Sequence, residues 1–387
     1  MINIFLAYIA LPFINLILSI RKRHGLNKIL VIQTAKIGDM ICSTPVFREI
    51  KRKYPTAHLT VFAAPSTIEI ISDNPNVDEI VSIKTEEYSG LGGKLKLAAL
   101  IREGHYDAAV CLNPNTLFSL ALFWGLVPVR LTIFPNFCGL TFQIASYLFS
   151  GTEKHIQGRL TSETYLRMLK KIGIESIDTK KDIFINNDAA SKASEILQNI
   201  NKPLIGIGVS SGNKLKELGA GKFAEVVNIL LDKMNANIVL VGAFDEKQTA
   251  DAIIASIIRK NMVTDAVGKL KLRELPSLIA RLSLFISVDT GIAYMADALG
   301  IPVIDIAGPS DMEDQRPTGD NCAIIQKNIA CAPCSHSFKS PYHCALGTRE
   351  CIESVSAEEI FGAAAKIIKN ADCDKIAGIC ANLNHTR

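Results

Sequence analysis

The stretch LVIQTAKIGDMICSTPVFREIKRKYP at residues 30–55 decides the fold of this chain. It starts as an apolar strand, passes a glycine and a single aspartate, Asp39, and continues as a helix with a basic end. A buried strand that leads directly into a helix is the unit from which parallel α/β sheets are built. Ligands of such sheets bind beyond the carboxyl ends of the strands, so the sequence predicts that Asp39 lies at a ligand-binding edge.

The same alternation of apolar runs and amphipathic helices fills most of the chain. Predicted strands of the first half cover residues 28–33, 58–63, 78–83, 107–112 and 129–134. After a polar stretch around residues 175–202, further strands are predicted at 203–209, 236–242, 262–267, 284–289 and 302–308. Because 387 residues exceed one comfortable core, we expect two Rossmann-like, doubly wound domains. The predicted parts are an apolar segment (1–25), an N-terminal domain (26–180), a C-terminal domain (181–370) and a polar tail (371–387).

Composition narrows the class of protein. The chain is 48% hydrophobic, 21% charged and 6% aromatic, which is typical of a folded α/β protein. Its formal net charge of +4 is modest and argues against a general nucleic-acid binder. We therefore expect no nucleic-acid partner.

The N-terminal segment predicts an apolar helix that associates with a membrane. No charged residue occurs from Ile2 to Ile20, and this length just meets the minimum for crossing a bilayer. A basic run follows directly: Arg21, Lys22, Arg23 and His24. Because Pro12 and two asparagines interrupt the segment, a helix lying in the membrane interface is the alternative to a spanning helix. A helix packed on the core is a third interpretation. The basic flank should stay cytoplasmic, which places the rest of the chain inside the cell.

A second aspartate, Asp289, ends the predicted strand at 284–288 in the motif SVDTGIAYMADALG (287–300). The free backbone N–H groups at the start of the helix that follows would suit a phosphate. Two further segments supply small polar residues after strands: GIGVSSGNKLKELGAGKF (206–223), with Lys214 and Lys216, and GPS (308–310). Together these motifs predict a site for a diphosphate.

The order of these motifs resembles that of the heptosyltransferase family, glycosyltransferase family 9. The resemblance rests on KIGDMICSTPVFREIKRKYP (36–55), NPNVDEI (74–80), SSGNKLKELGAGKFAEV (210–226), SVDTGIAYMADALGIPVIDIAGPSD (287–311) and CAPC (331–334). It spans residues 28 to about 355. It implies the GT-B architecture, in which an acceptor domain and a nucleotide-sugar domain face each other across a cleft.

The resemblance also implies the reaction. It predicts an inverting transferase that moves heptose from ADP-heptose to a lipopolysaccharide core or related glycolipid, at the cytoplasmic face of the bacterial inner membrane. Asp39 corresponds to the general base and Lys216 to the lysine near the donor phosphates. The remaining residues assigned to donor binding are Ser210, Ser211, Gly242, Leu270, Asp289, Thr290 and Gly291.

Elementary chemistry agrees with these roles. A sugar hydroxyl is a weak nucleophile, and a positioned carboxylate that removes its proton accelerates the reaction by roughly 10²- to 10⁴-fold. Lys216 and the helix that starts at Gly291 would stabilise the departing diphosphate. The carboxylate pair usual for a divalent metal is not evident at a strand end, so we expect no catalytic metal. The structural alternative is that Asp39 and Asp289 only cap the helices that follow them.

The basic run Arg48, Lys51, Arg52 would ordinarily be a solvated helix face. In this context it is a candidate for contacts with the acceptor.

Departures from the family pattern border the donor site: Tyr294 in place of histidine, and Leu218 and Gly219 in place of Trp and Pro. A transferase that uses a different nucleotide sugar is therefore one alternative. A nucleotide-sugar epimerase with the same two-domain architecture is another, and a non-catalytic membrane-bound adaptor is a third.

Four of the ten cysteines form a cluster in the sequence: Cys331, Cys334, Cys344 and Cys351. The first two are spaced as half of a thiolate metal site, whereas the second two are spaced more widely than in a zinc ribbon. Disulfides are disfavoured in a reducing cytoplasm, so the alternatives are a structural zinc or iron–sulfur site and free thiols.

Overall fold

The computed structural model describes residues 2–21, 25–186, 190–198, 200 and 202–369. The chain divides into two compact units. Unit 1 comprises Met1–Phe184 and Glu313–Gln315, and unit 2 comprises Ile185–Met312 and Arg316–Arg387. The predicted polar tail at 371–387 and residues 187–188 of the predicted connection lie outside the described residues.

Unit 1 alternates strands and helices. Its strands are β1 (Lys28–Gln33), β2 (His58–Ala63), β3 (Glu79–Ser82), β4 (Ala108–Cys111), β5 (Val129–Phe134) and β6 (Gly151–Lys154). Its helices are α1 (Ile2–Arg21), α2 (Ile37–Lys53), α3 (Ile68–Ile71), α4 (Gly90–Gly104), α5 (Thr116–Trp124), α6 (Leu140–Ala145) and α7 (Thr161–Leu169).

The six strands of unit 1 form a parallel sheet in the order β3-β2-β1-β4-β5-β6. Strand β1 lies at its centre, with Ile29 paired to Leu59 on one side and to Ala108 on the other. Five of its six residues are buried, because helices cover both faces of such a sheet. The strand order reverses between β1 and β4, so the crevice expected for a ligand lies at the carboxyl ends of these two strands.

Unit 2 repeats this plan. Its strands are β7 (Leu204–Gly208), β8 (Asn237–Val241), β9 (Val263–Asp265), β10 (Leu284–Val288), β11 (Val303–Ile306) and β12 (Cys322–Ile325). Its helices are α8 (Ala190–Ile196), α9 (Ala220–Lys233), α10 (Lys247–Ala255), α11 (Leu275–Ile279), α12 (Gly291–Ala298), α13 (Glu350–Glu353) and α14 at 357–369.

The strand order in unit 2 is β12-β11-β10-β7-β8-β9, again parallel throughout. Counted from β7, this is the same order as in unit 1, and its reversal lies between β7 and β10. Helix α9 shows why the layers pack: Phe223, Val227 and Leu230 recur on one face and join the buried core of the unit.

Both sheets thus confirm the doubly wound α/β prediction, with one additional strand in each. Strand β6 has the sequence GTEK and a half-exposed pattern, so it carries no apolar run by which to find it. Strand β12, CAII, is four residues long and was missed although it is apolar. Both are edge strands, where burial on two faces is not required.

Helix α1 packs on unit 1. Its residues Ile4, Ala7, Ile14 and Leu18 are buried against Leu120 and Phe123 of α5 and against Ala145 and Leu148. The Tyr8 hydroxyl donates to the backbone oxygen of Ile144 at 2.8 Å. In the part of the chain that the structure describes, no helix is long and apolar enough to cross a membrane, which corrects the spanning alternative.

Candidate functional site

In unit 2, Asp289 is the centre of a buried polar cluster. It directly follows β10, at the edge where the strand order reverses. Its Oδ2 lies 2.5 Å from Lys216 Nζ and accepts a hydrogen bond from Ser310 Oγ, also at 2.5 Å. Its Oδ1 accepts from the Tyr294 hydroxyl at 2.7 Å. The structure therefore brings together the three motifs that the sequence analysis combined.

The charge of Asp289 is stabilised where it lies. Burial alone raises the pKa of its carboxyl, but the nearby Lys216 charge and the hydrogen bonds from Lys216, Ser310 and Tyr294 outweigh burial and lower it. Thr290, not Asp289, occupies the N-cap position of α12, and its side chain makes no capping hydrogen bond. The capping interpretation therefore does not account for Asp289, whose side chain instead orients the ammonium of Lys216.

The loop that carries Lys216 is held by its own polar residues. Asn213 Oδ1 accepts from the backbone N–H of Leu215 at 3.0 Å and starts a short 3₁₀ turn at Lys214–Lys216. Glu217 Oε1 accepts from Ser210 Oγ and from Lys214 Nζ, each at 2.8 Å. Ser210 and the buried Ser211 thus face into the loop, with Ser211 Oγ accepting from the Asn213 N–H at 3.3 Å.

The departures from the family pattern have structural roles. Tyr294 is almost fully buried and supplies one of the three hydrogen bonds to Asp289. Leu218 is buried in the core of unit 2. Gly219 precedes α9 with φ +92°, a conformation that side chains rarely adopt. Only the first of these residues contacts the polar cluster.

A segment distant in sequence, residues 331–351, makes hydrogen bonds to the Lys216 loop. Asn213 Nδ2 donates to the Pro341 oxygen at 2.9 Å and to Ser340 Oγ at 3.2 Å. The Arg349 guanidinium donates to the Glu217 oxygen. Cys334 N donates to the Pro309 oxygen at 3.0 Å, next to Ser310. The segment from Cys331 to Cys351, here called the cysteine segment, is therefore tied to both loops that surround Asp289. Sequence reasoning missed Asn213 and Arg349, because no local pattern encodes these contacts.

Gly242 and Leu270 follow β8 and β9. Gly242 O accepts from the Gly268 N–H at 3.0 Å, which joins the two loops. A side chain at Gly242 would come within 2.6 Å of Glu246 Oε2 and 2.9 Å of Val209, so the close approach requires glycine. Leu270 is half-buried. The loops that carry Gly242 and Leu270 follow the two strands that lie beyond β7 in the sheet. Among the described residues, neither makes a hydrogen bond to Asp289.

Asp305 of β11 was not predicted. It is fully buried, and neither carboxyl oxygen has a hydrogen-bond partner among the described residues. Burial raises the pKa of this carboxyl well above its usual value, and the charge of Asp289 raises it further. Asp305 is therefore a buried carboxyl whose neutral form is favoured beside the charged pair of Asp289 and Lys216.

In unit 1, Asp39 lies in the first turn of α2. The loop from β1 is only residues 34–36, because the helix begins at Ile37 and includes the glycine and the aspartate that the sequence analysis placed before it. Asp39 is not the N-cap of α2, which is Lys36, but from the third helical position its Oδ2 accepts from the Lys36 backbone N–H at 3.2 Å. The carboxylate that makes this contact is half-exposed. The contact therefore does not exclude a role as a base.

The surroundings of Asp39 are polar and ordered. Ser43 Oγ donates to the Asp39 backbone oxygen at 2.7 Å and accepts from Gln33 Nε2 at 2.9 Å. Tyr165 is fully buried, and burial, followed by the charges of Asp39 and Cys42, raises the pKa of its hydroxyl well above the usual value. Gln33 ends β1, so these side chains lie at the carboxyl edge of the unit 1 sheet.

The basic residues assigned to the acceptor lie farther along α2. Arg48 pairs with Asp182 and, at 3.2 Å, with Asp178. Lys51 pairs with Asp78 at 2.5 Å. Arg52 is 76% exposed, in the last turn. At 1.5 Å per residue, Arg52 is about 20 Å along the helix from Asp39. The structure does not bring these three side chains together with Asp39, and their contact with an acceptor stays a prediction.

The four cysteines of the cysteine segment lie in unit 2 within electrostatic reach of one another. Burial, followed by the other three thiols, raises the pKa of Cys351. The Cys344 thiol receives backbone N–H groups of Arg349, Leu346, Gly347 and Thr348, which lower its pKa. No three of the four Sγ atoms, all within the described ranges, lie within 4.8 Å of one another. The metal site stays a prediction.

Comparison with known proteins places these motifs in a family. The sequence profile of glycosyltransferase family 9 (heptosyltransferase) matches residues 94–344. Lipopolysaccharide heptosyltransferase 3 of Escherichia coli K12 is 24% identical over 339 residues, covering 86% of this chain and 95% of that protein.

Two solved structures share the fold. A glycosyl transferase family 9 protein from Veillonella parvula aligns with a TM-score of 0.74 at 20% identity, covering 89% of this chain and 98% of that one. The ADP-heptose lipopolysaccharide heptosyltransferase II of E. coli aligns with a TM-score of 0.70 at 19% identity, covering 89% and 99%. The α/β fold with two parallel sheets is thus the fold of these proteins.

Proposed function

Since this chain belongs to glycosyltransferase family 9, the heptosyltransferases, we propose that it transfers heptose from ADP-heptose to a hydroxyl of a lipopolysaccharide core or related glycolipid. Unit 2 binds the donor, and Asp39 of unit 1 removes the proton of the acceptor. The donor follows from the family resemblance and from the name of the E. coli relative, which specifies ADP-heptose for that protein.

The observation that carries the proposal is the pair of Lys216 and Asp289 at the strand-order reversal of unit 2. Lys216 is 16% and Asp289 8% exposed, so the ammonium is held in place yet reachable. Beside it, α12 begins with Gly291, whose helix terminus presents free backbone N–H groups. An ammonium and a helix N-terminus are the groups that stabilise a diphosphate.

The proposed step balances as a single displacement. The acceptor oxygen forms a bond to the anomeric carbon while the bond from that carbon to the β-phosphate oxygen breaks, with inversion. The acceptor proton passes to Asp39, and ADP leaves with the electron pair of the broken bond. Lys216 and the start of α12 stabilise the negative charge that develops on the diphosphate.

The experiment is a transfer assay with the purified full-length chain. The chain is incubated with ADP-heptose and a deacylated core oligosaccharide, and the masses of the products are determined by mass spectrometry. Parallel reactions contain UDP-, GDP- or dTDP-linked sugars instead of ADP-heptose. We expect one heptose to be added per acceptor from ADP-heptose alone. Transfer of a different sugar would replace the donor assignment. Product formed from donor without acceptor would indicate an epimerase and would contradict the proposal.

A further inference from the structure

Helix α1 presents two apolar sides, and the fold uses only one of them. The buried residues Ile4, Ala7, Ile14 and Leu18 face α5 and the end of α6. Six large apolar residues point to solvent instead: Phe5, Leu6, Ile9, Phe13, Leu16 and Ile17. Phe5, Phe13 and Leu16 are each about two-thirds exposed, at 66%, 71% and 68%.

The exposed residues form one continuous stripe. At about 100° per residue, the six fall within an arc of about 120°, opposite an arc of about 80° that holds the four buried residues. Tyr147, which is 75% exposed, lies close to the helix. Tyr147 is close enough to Tyr8 of α1 to affect its pKa, which is raised first by burial and then by Tyr147. We call the six exposed apolar residues of α1, together with Tyr147, the α1 surface.

An apolar surface of this size is unusual on a protein that meets only water. The α1 surface belongs to a helix with no charged residue from Ile2 to Ile20, whereas Arg21, Lys22 and Arg23 follow at once in the sequence. This apolar side next to a basic run complements a bilayer, in which acyl chains lie beneath anionic headgroups. Because one side of α1 is packed on unit 1, the helix would lie along the surface of the bilayer.

We propose that the α1 surface docks unit 1 on a bilayer that contains anionic phospholipids, with Phe5, Phe13 and Leu16 inserted among the headgroups. The side chains of Ile4, Ala7, Ile14 and Leu18 keep the helix attached to the protein, so docking requires no unfolding. In a cell, the leaflet that fits is the cytoplasmic one, whose surface is negative.

The test is co-sedimentation of the full-length chain with vesicles of phosphatidylcholine and phosphatidylglycerol at 7:3, compared with phosphatidylcholine alone. The variant Phe5→Ser/Phe13→Ser removes two inserted side chains and leaves the buried side intact. The control Ile177→Ser/Ile258→Ser removes two apolar residues elsewhere that are still more exposed, at 89% and 84%. Thermal unfolding verifies that both variants are folded.

We expect wild type and control to bind the anionic vesicles, with weaker binding to the neutral ones, and we expect Phe5→Ser/Phe13→Ser to lose at least about tenfold in partitioning. Absence of wild-type binding, or equal loss in both variants, overturns the proposal. Light scattering gives a further outcome: a dimer of the wild type that Phe5→Ser/Phe13→Ser dissociates would make the α1 surface an interface between copies of this chain, and would also overturn it.

Discussion

At the scale of single residues, the Asp289 carboxylate receives hydrogen bonds from Lys216, Ser310 and Tyr294. A buried carboxylate with three donors is fixed in orientation, and it fixes the ammonium of Lys216 in turn. The donor phosphates therefore meet a cation that is already in position, which lowers the cost of binding. The sequence suggested Lys216 and Asp289 separately, but their direct contact required the structure.

The first prediction concerns Lys216. Lys216→Met should weaken the binding of ADP by roughly 10- to 100-fold, the range for one hydrogen bond to a charged group. Isothermal titration calorimetry measures this loss directly. Lys214→Met is the matched control on the same loop, because Lys214 is 83% exposed and pairs with Glu217 rather than with Asp289. Equal affinities of the two variants would remove Lys216 from the donor site.

The second prediction uses the buried acid Asp305. The pKa of Asp305 in the folded protein is raised well above 3.8. As the pH rises above about 3.8, the Asp305 carboxyl therefore loses its proton in the unfolded chain before it does so in the folded protein. The contribution to stability is complete below that pH and is lost as the pH rises toward the folded pKa. Asp305→Asn removes the titrating group. We expect its free energy of unfolding, relative to wild type, to increase with pH from about 4 to 7.

Urea denaturation at several pH values gives the required free energies. Asp232→Asn serves as the control, since Asp232 is 72% exposed and pairs with Arg259 at the surface. A difference between Asp305→Asn and wild type that stays constant with pH, or falls, would contradict a raised pKa for Asp305.

At the scale of elements, the bounds of β1, β2 and β5 follow from sequence alone, because each is an apolar run bounded by polar residues. The edge strands β6 and β12 do not, since an edge strand needs less burial and leaves a weaker pattern. The start of α2 was also misplaced, because a glycine in its first turn resembles a loop signal. The cysteine segment is the opposite case: its cysteines were evident, but its hydrogen bonds to the Lys216 loop were not.

The third prediction concerns the cysteine segment. A metal ion would relieve the mutual repulsion of thiolates that raises the pKa of Cys334 after burial, and it would draw the sulfurs together. We expect the wild type to retain about one zinc ion or one iron–sulfur cluster per chain after dialysis. Cys331→Ser/Cys334→Ser should lose it and raise the KM for donor, since Asn213 is anchored on this segment.

Elemental analysis by plasma mass spectrometry measures the metal. The control Cys138→Ser/Cys322→Ser changes two half-buried thiols outside the cysteine segment and should leave metal content and KM unchanged. A wild type that holds no metal and has four titratable thiols in this segment would contradict the metal site. Hydrogen bonds would then be what holds the cysteine segment against the Lys216 loop.

At the scale of the whole molecule, the two units share one strand order, and each has a candidate aspartate, Asp39 or Asp289, beyond the carboxyl end of a central strand. The repeated strand–helix alternation of the two units was predictable, because the spacing of apolar residues along the sequence indicates each strand and helix. The pairing of Asn213 with residues 340 and 341 was not, since contacts between distant segments leave no local signal. The family assignment added the type of reaction, which neither the local periodicity nor the contacts between distant segments could supply.

The central claim is that Asp39 is the general base of heptosyl transfer, and its most direct test is the turnover of Asp39→Asn. The amide keeps the size of the side chain, and its oxygen can still accept from the Lys36 N–H, so the fold should be retained. We expect kcat with ADP-heptose and a deacylated core acceptor to fall by roughly 10²- to 10⁴-fold, with the affinity for ADP unchanged. A variant that keeps wild-type kcat would contradict the account and leave Asp39 as a helix cap.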